Sequence, residues 1–353
     1  MAIVSSQGGA CEGLALWRRP TLCQSLRMAG DAGVRVLNSK HDLRRWAAAA
    51  IIAAVLGLAG PALAEPVALT FDDLPSLTYS PSLSYTQITT TDLLDGLRAH
   101  HFPATGFVNE IKLEGPDKPQ RIALLQAWLD AGMDLGNHGY SHLSLTKTPV
   151  DDYIADVSRG ETETRVLLAA RGRSLRWYRY PYLETGPTLQ ARQTFEAWLS
   201  GHGYRTAPVT MENSDWMFAL VYDDAVLRGD QAGALRVRQA YLDYTAKVVP
   251  WYREAAFELL GRRPAFVFLL HASRLNADSL NALSDILKAN HLRPVTLDAA
   301  MKDAAYAIAD TYVGPDGDEW LSRWSLSLGK PLPWASFPDP PADIAAEDQR
   351  LDN

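Results

Sequence analysis

The sequence predicts an α/β fold: a parallel sheet covered by helices, either a barrel or a doubly wound open sheet. Two observations carry this. From residue 65 onward, short apolar runs alternate with stretches whose apolar residues recur at helical spacing. The side chains with the most chemistry fall just after the apolar runs, at the strand ends where parallel α/β folds gather functional groups.

Taken in order, Val67–Phe71 is a compact strand running into Asp72-Asp73, and a Ser-, Thr- and Pro-rich loop follows to about Gln87. Thr91–His101 reads as a helix and Ala104–Asn109 as a strand. Gln120–Ala131 is a helix stopped near Gly132. Asp134–His138 is a short strand entering a loop, and Val150–Ala170 a charged amphipathic helix. Leu175–Arg179 is a strand ended by Tyr180-Pro181. Thr188–Leu199 is a helix and Tyr204–Val209 a strand. Residues 217–263 are mostly helical, with Pro250 as a kink or break. Phe266–His271 is a strongly apolar strand. A helix over 278–290 and a strand over 294–297 complete the alternation. The tail from Lys330 carries five prolines up to Pro341 and is expected to be loosely attached.

Composition narrows the function. With 353 residues, 47% hydrophobic and 21% charged, the chain can bury a large core and is not a disordered polymer. A net charge of -7 argues against an extended nucleic-acid footprint. Residues 1–64 stand apart. Arg44-Arg45 precede the apolar run Ala47–Ala59, and Ala62-Leu63-Ala64 supplies an A-x-A site, the three parts of a secretory leader. The 18 residues from Ala47 to Ala64 include Pro61, which favours cleavage after Ala64 over a retained anchor. The expectation is an exported protein, periplasmic or secreted, without stable membrane insertion. Residues 1 to about 35 show no periodicity, so Met28 or a later position is the more natural start. Removing seven basic and three acidic residues takes the net charge to -11. It also removes Cys11 and Cys23, which excludes disulfides and thiolate metal ligands from the remainder.

His138 and His142 form His-x-x-x-His, a spacing that on one helical turn puts both imidazoles on the same side. Two His and a carboxylate make a divalent-metal site with open positions. Asp72 and Asp73 would point in opposite directions from an extended strand, so one can ligate while the other faces substrate as a base. Arg179 can hold a carboxylate ionised. Asp215 could bridge Arg179 and an imidazole, Trp216 could wall a pocket, and His271 could serve as an acid. The solvated or structural alternatives are an acidic turn at Asp72-Asp73, a surface ion pair at Arg179 and core packing at Trp216. Trp320, Trp324 and Trp334 are candidates for sugar stacking, although Trp320 and Trp324, four residues apart, suit helix packing better.

The ordered set Thr70-Phe71-Asp72-Asp73, His138-x-x-x-His142, Arg179-Tyr180-Pro181-Tyr182, Asp215-Trp216 and Leu269-Leu270-His271 resembles the polysaccharide deacetylases, the NodB-homology domain of carbohydrate esterase family four. The resemblance implies a distorted (β/α) barrel of about seven strands over residues 65–300, with a helical insertion before His271 and a C-terminal extension over 301–353. It implies metal ligation by Asp73, His138 and His142, with Zn²⁺ first and Co²⁺, Ni²⁺ or Mn²⁺ as alternatives. It implies Asp72 as base, tethered by Arg179, and His271 as acid, tuned by Asp215. The Tyr182 N–H would serve the oxyanion, and Trp216 and Leu269 the acetyl pocket. The activity implied is removal of N-acetyl groups from an amino-sugar glycan. An O-acetyl esterase acting on a glycan such as xylan, or an idle glycan-binding module, are the alternatives. The chain departs from the family pattern at Leu74-Pro75, Tyr180 and Asn213, and in the long segment between Trp216 and His271.

Overall fold

The structure, a computed structural model, describes residues 64–351; the leader preceding Ala64, both cysteines and the alternative start lie outside the described residues. Its strands are β1 (Glu65–Leu74), β2 (Ala104–Val108), β3 (Asp134–Asn137), β4 (Trp177–Tyr178), β5 (Arg205–Thr206), β6 (Phe266–His271) and β7 (Leu292–Pro294). They form one parallel sheet in the order β5-β4-β3-β2-β1-β6, with β7 on β1. β1 is buried from Val67 to Leu74, as expected for an apolar run sandwiched between neighbours on both faces.

The barrel reading is the one observed. β5 lies at one edge of the sheet, and the chain continues from it to Met211, which pairs in parallel with Phe268 of β6 at the opposite edge. Thr210 and Met211 donate their N–H groups to Val267 O, and Leu269 donates to Met211 O. Residues 205–211 therefore curl the sheet into a distorted barrel.

The helices are α1 (Leu83–Ala99), α2 (Lys118–Asp130), α3 (Val150–Arg159), α4 (Thr162–Ala169), α5 (Leu189–Gly201), α6 (Asp215–Leu227), α7 (Gln231–Leu260), α8 (Arg274–Ala289), α9 (Leu297–Ala300), α10 (Trp320–Leu328) and α11 (Ala342–Leu351). α8 begins four residues before the expected 278, where Ser273 caps it, and the helical stretch over 217–263 is divided between Leu227 and Gln231, not at Pro250. Three other bounds or breaks differ from expectation. α1 starts earlier than Thr91 because Ser82 caps it, its Oγ accepting from Tyr85 N–H, and Thr86, Thr89 and Thr90 are buried. The expected helix over 150–170 is two, divided at Gly160. A Cβ there would lie 2.6 Å from Gly139 C and Tyr140 N, so the backbone passes directly against the loop after β3. Pro250 does not break α7, where Val248, Val249, Trp251 and Tyr252 are buried around it.

The tail is docked, not loose. Ile344 of α11 is fully buried, and α11 packs on α6. Arg236 of α7 pairs with Asp343 at 2.8 Å and Glu347 at 2.7 Å. Upstream, Trp334 and Phe337 pack on Trp251 at ring-centroid distances of 5.0 and 4.7 Å. The prolines shape the path between two anchors. Trp320 and Trp324 are buried, the helix-packing role their spacing suits. Among the described residues, no helix is long and apolar enough to cross a membrane. We expect Ile344→Ala to lower unfolding stability by about 2–5 kcal/mol in urea titration. A midpoint unmoved by the substitution would mean that the tail detaches in solution.

Candidate active site

At the end of β1 the alternation fails in a useful way. The β1–β2 register shifts between Phe71 and Leu74, and Asp73 takes the left-handed conformation, φ 69°. This corrects the expectation that the two carboxylates diverge. Asp72 Oδ2 lies 3.6 Å, and Asp73 Oδ1 3.8 Å, from the same atom, His138 Nε2.

His138 and His142 converge without a helix. They sit on the loop after β3, where Gly139 and His142 have φ of 74° and 56°. Asn137 Oδ1 accepts from Gly139 N–H at 2.7 Å, and the Asp156 carboxylate accepts from Tyr140 and Ser141 N–H. The expected loop after β3 carries both histidines, and its N–H groups are satisfied by side chains. His142 Nε2 lies 3.7 Å from Asp73 Oδ1. One ligand atom from each of Asp73, His138 and His142 falls within 4.8 Å of the others.

This trio fits a divalent cation. His138 Nδ1 lies 2.9 Å from the Arg179 carbonyl, which can only accept, so Nδ1 carries the proton and Nε2 a free lone pair. Burial pulls both imidazoles down to about 4, leaving them neutral at neutral pH. Burial alone would raise Asp73. Lys112, 3.2 Å from Oδ2, and the imidazoles outweigh it and hold the carboxyl well below its ordinary range. Asp73 Oδ1 is left buried without a hydrogen-bond partner. With ligand bonds of about 2.1 Å, tetrahedral donor atoms stand roughly 3.4 Å apart, close to the gaps seen.

Arg179 follows β4 and is completely buried, so it is no surface ion pair. Its Nη1 lies 3.4 Å from Asp72 Oδ2, its Nη2 donates to Thr70 Oγ1 at 3.0 Å, and it faces the Phe107 ring. Burial raises Asp72 to about 6 against the opposing pull of Arg179. Asp72 Oδ1 is also buried and unpartnered.

Asp215 does not bridge to Arg179; both its oxygens are engaged elsewhere. Oδ1 lies 2.8 Å from His271 Nδ1, while Oδ2 accepts from His271 N–H at 2.7 Å and Asn276 Nδ2 at 2.6 Å. Burial would lower His271, but the charge and hydrogen bond of Asp215 raise it to about 9. His271 is therefore an imidazolium at neutral pH.

Asp72, Asp73, His138, His142, Asp215 and His271 border one cavity of about 530 Å³, which Tyr182, Trp216 and Leu269 also line. Trp216 is 40% exposed, and the Tyr182 ring stands edge-on to His142 at 4.4 Å. Sequence reasoning missed Thr70 as the anchor of Arg179, Lys112, Asn276, and the cavity walls Glu212, Glu319 and Phe337. Trp334, singled out as a stacking candidate, also lines the cavity.

Residues 59–198 match the family model for polysaccharide deacetylases. The resemblance seen in the motifs is upheld, the matched span holding Asp72-Asp73, His138-x-x-x-His142 and Arg179–Tyr182. A curated peptidoglycan-N-acetylglucosamine deacetylase from Bacillus cereus is 29% identical over 158 residues, which is 44% of this chain and 48% of that protein. The match thus spans about half of its length. Among solved structures, a family 4 carbohydrate esterase from Streptomyces lividans is 21% identical, with 68% of this chain and 97% of that one covered and a TM-score of 0.43. The chitin deacetylase from Colletotrichum lindemuthianum is 23% identical, with 67% and 88% covered and a TM-score of 0.47.

The His271–Asp215 pair generates a titration test. The folded pKa is raised, so its stabilisation is complete below about 6.5 and is lost as pH rises through about 9. In chelator-treated protein, NMR should place the His271 midpoint near 9, and Asp215→Asn should lower it by about 1–3 units. A midpoint unaffected by Asp215→Asn would break the pairing.

Proposed function

We propose that this protein is an exported, metal-dependent hydrolase that removes N-acetyl groups from an amino-sugar glycan. The observation that carries the reading is the convergence of Asp73, His138 and His142 beside a second carboxylate, Asp72, and an Asp-bound imidazolium, His271, in one cavity. The family match and the name of the Bacillus cereus relative support the substrate class. Asp73, His138 and His142 would hold the cation, Zn²⁺ first by its preference for N and O donors in open three-ligand sites. When bound, it supplies Lewis-acid polarisation of the acetyl carbonyl and a lowered pKa for water.

The chain's own residues supply the rest. Asp72, mostly ionised above pH 6 and lining the cavity, takes the proton of the attacking water. Arg179 and Thr70 keep that carboxylate aimed. The Tyr182 N–H is assigned to the developing oxyanion, and Trp216 and Leu269 to the acetyl methyl. His271 holds Nδ1 against Asp215, so its Nε2 proton is the one delivered to the sugar nitrogen as the C–N bond breaks. The products are acetate and a free amine.

Asp72→Asn and His271→Ala should each cut acetate release by about 100-fold or more, with circular dichroism unchanged. Chelation should abolish turnover and Zn²⁺ should restore it. Full turnover in either variant, or in metal-stripped protein, would refute the assignment. N-acetylated and O-acetylated glycans assayed in parallel test the amide preference: release from esters alone would make the protein an esterase.

A further inference from the structure

We infer that the segment 310–323 of the C-terminal extension is a working part of the active site, with Arg323 the positioning residue through which it holds the Tyr182 loop. The inference rests on the deacetylase reading in assigning Tyr182 to the oxyanion; the contacts themselves do not.

Tyr182 and Leu183 both adopt left-handed backbone, φ 56° and 57°. Two successive non-glycine residues in that region persist only where surrounding structure over-determines them. The surroundings here come from far along the chain. Arg323 is completely buried in α10 and spends its guanidinium on this loop and its own segment. Nη2 donates to Leu183 O at 2.7 Å. Nη1 donates to Thr185 Oγ1 at 2.8 Å and lies 3.2 Å from Asp310 Oδ2. Nε donates to Asp318 O at 2.8 Å. Its planar face lies over the rings of Trp320 and Tyr312 at 4.6 and 4.8 Å. Such a set of directed bonds uses the rigid fork that distinguishes Arg from Lys.

Gly317 supplies a second hold. A Cβ at this residue would fall 1.6 Å from Tyr182 O, so the segment's backbone lies directly on the Tyr182 peptide and only glycine fits. The third hold reaches the histidine loop. Thr146 Oγ1 donates to Pro315 O at 2.9 Å, and Glu184 accepts from the Ser144 hydroxyl and from Thr146 N–H. One strap thus fastens the loop carrying His142 to the loop carrying Tyr182, and the same segment lends Glu319 to the cavity wall.

An oxyanion donor acts only if it is placed to within a fraction of an ångström. Loosening the Tyr182 loop should therefore weaken an interaction made in the transition state, lowering kcat and leaving KM in place. A staple that served stability alone would lower the melting temperature while each folded molecule kept its kcat.

The test uses the full chain, Zn²⁺-loaded, with a defined N-acetylglucosamine pentamer, and compares Arg323→Ala, Arg323→Lys and Thr185→Val. Arg323→Ala should lose about 10–100-fold in kcat with KM nearly unchanged, Arg323→Lys should recover part of it, and Thr185→Val should fall between. Arg236→Ala, which cuts only the exposed ties of α11, should keep wild-type kcat. If Arg323→Ala fails to fold, Arg323→Lys and Thr185→Val decide. Amide hydrogen exchange over residues 181–185 reads the loop without turnover and should accelerate in the Arg323 variants. Wild-type protein that releases no acetate sinks the deacetylase reading. Unchanged exchange over 181–185 together with wild-type kcat per folded molecule in Arg323→Lys and Thr185→Val overturns the strap.

Discussion

A buried guanidinium organises this site. Arg179 has no exposed surface, and an arginine taken out of water must be paired or it costs several kcal/mol. Its side chain ties Asp72 and Thr70, both on β1, to the end of β4. Its N–H donates to Asn137 O at the end of β3, and its carbonyl fixes the tautomer of His138. One residue thus sets the carboxylate from one strand end and the lone pair from another. Burial presses Asp72 upward and Arg179 downward, toward a less charged pair, which keeps Asp72 close to the point where it can exchange a proton.

Like residues are driven to unlike roles by what surrounds them. Asp72 and Asp73 are neighbours in sequence, yet the first is raised to about 6 and the second is held far below by Lys112 and the imidazoles. His138 and His142 are lowered to about 4 by burial, while Asp215 lifts His271 to about 9. A metal ligand needs a neutral imidazole and an ionised carboxylate, and an acid–base pair needs groups that change charge. The geometry supplies both sets within one cavity.

What was legible in the sequence was the placement of chemistry at strand ends. Asp72, His138, Arg179 and His271 stand where the alternation of strands and helices put them. The local conformations were not legible. His138 and His142 meet through a loop carried by positive φ at Gly139 and His142, and Asp73 turns inward through a register shift that strand periodicity does not encode. Asn276 reaches Asp215 across 61 residues, and Lys112 reaches Asp73 from a short 3₁₀ turn; neither position has a periodic signature. The tail misled because prolines report a lack of regular structure and say nothing of docking. Ile344 is a single anchor, and a lone large apolar residue in a polar stretch does not announce that it is buried.

The central claim is that Asp73, His138 and His142 share one cation. Crystals grown with Zn²⁺, with data collected on both sides of the zinc absorption edge, test it most directly. The account predicts one anomalous peak about 2.1 Å from Asp73 Oδ1, His138 Nε2 and a ring nitrogen of His142. A zinc-supplied crystal with no peak among these three side chains would contradict it.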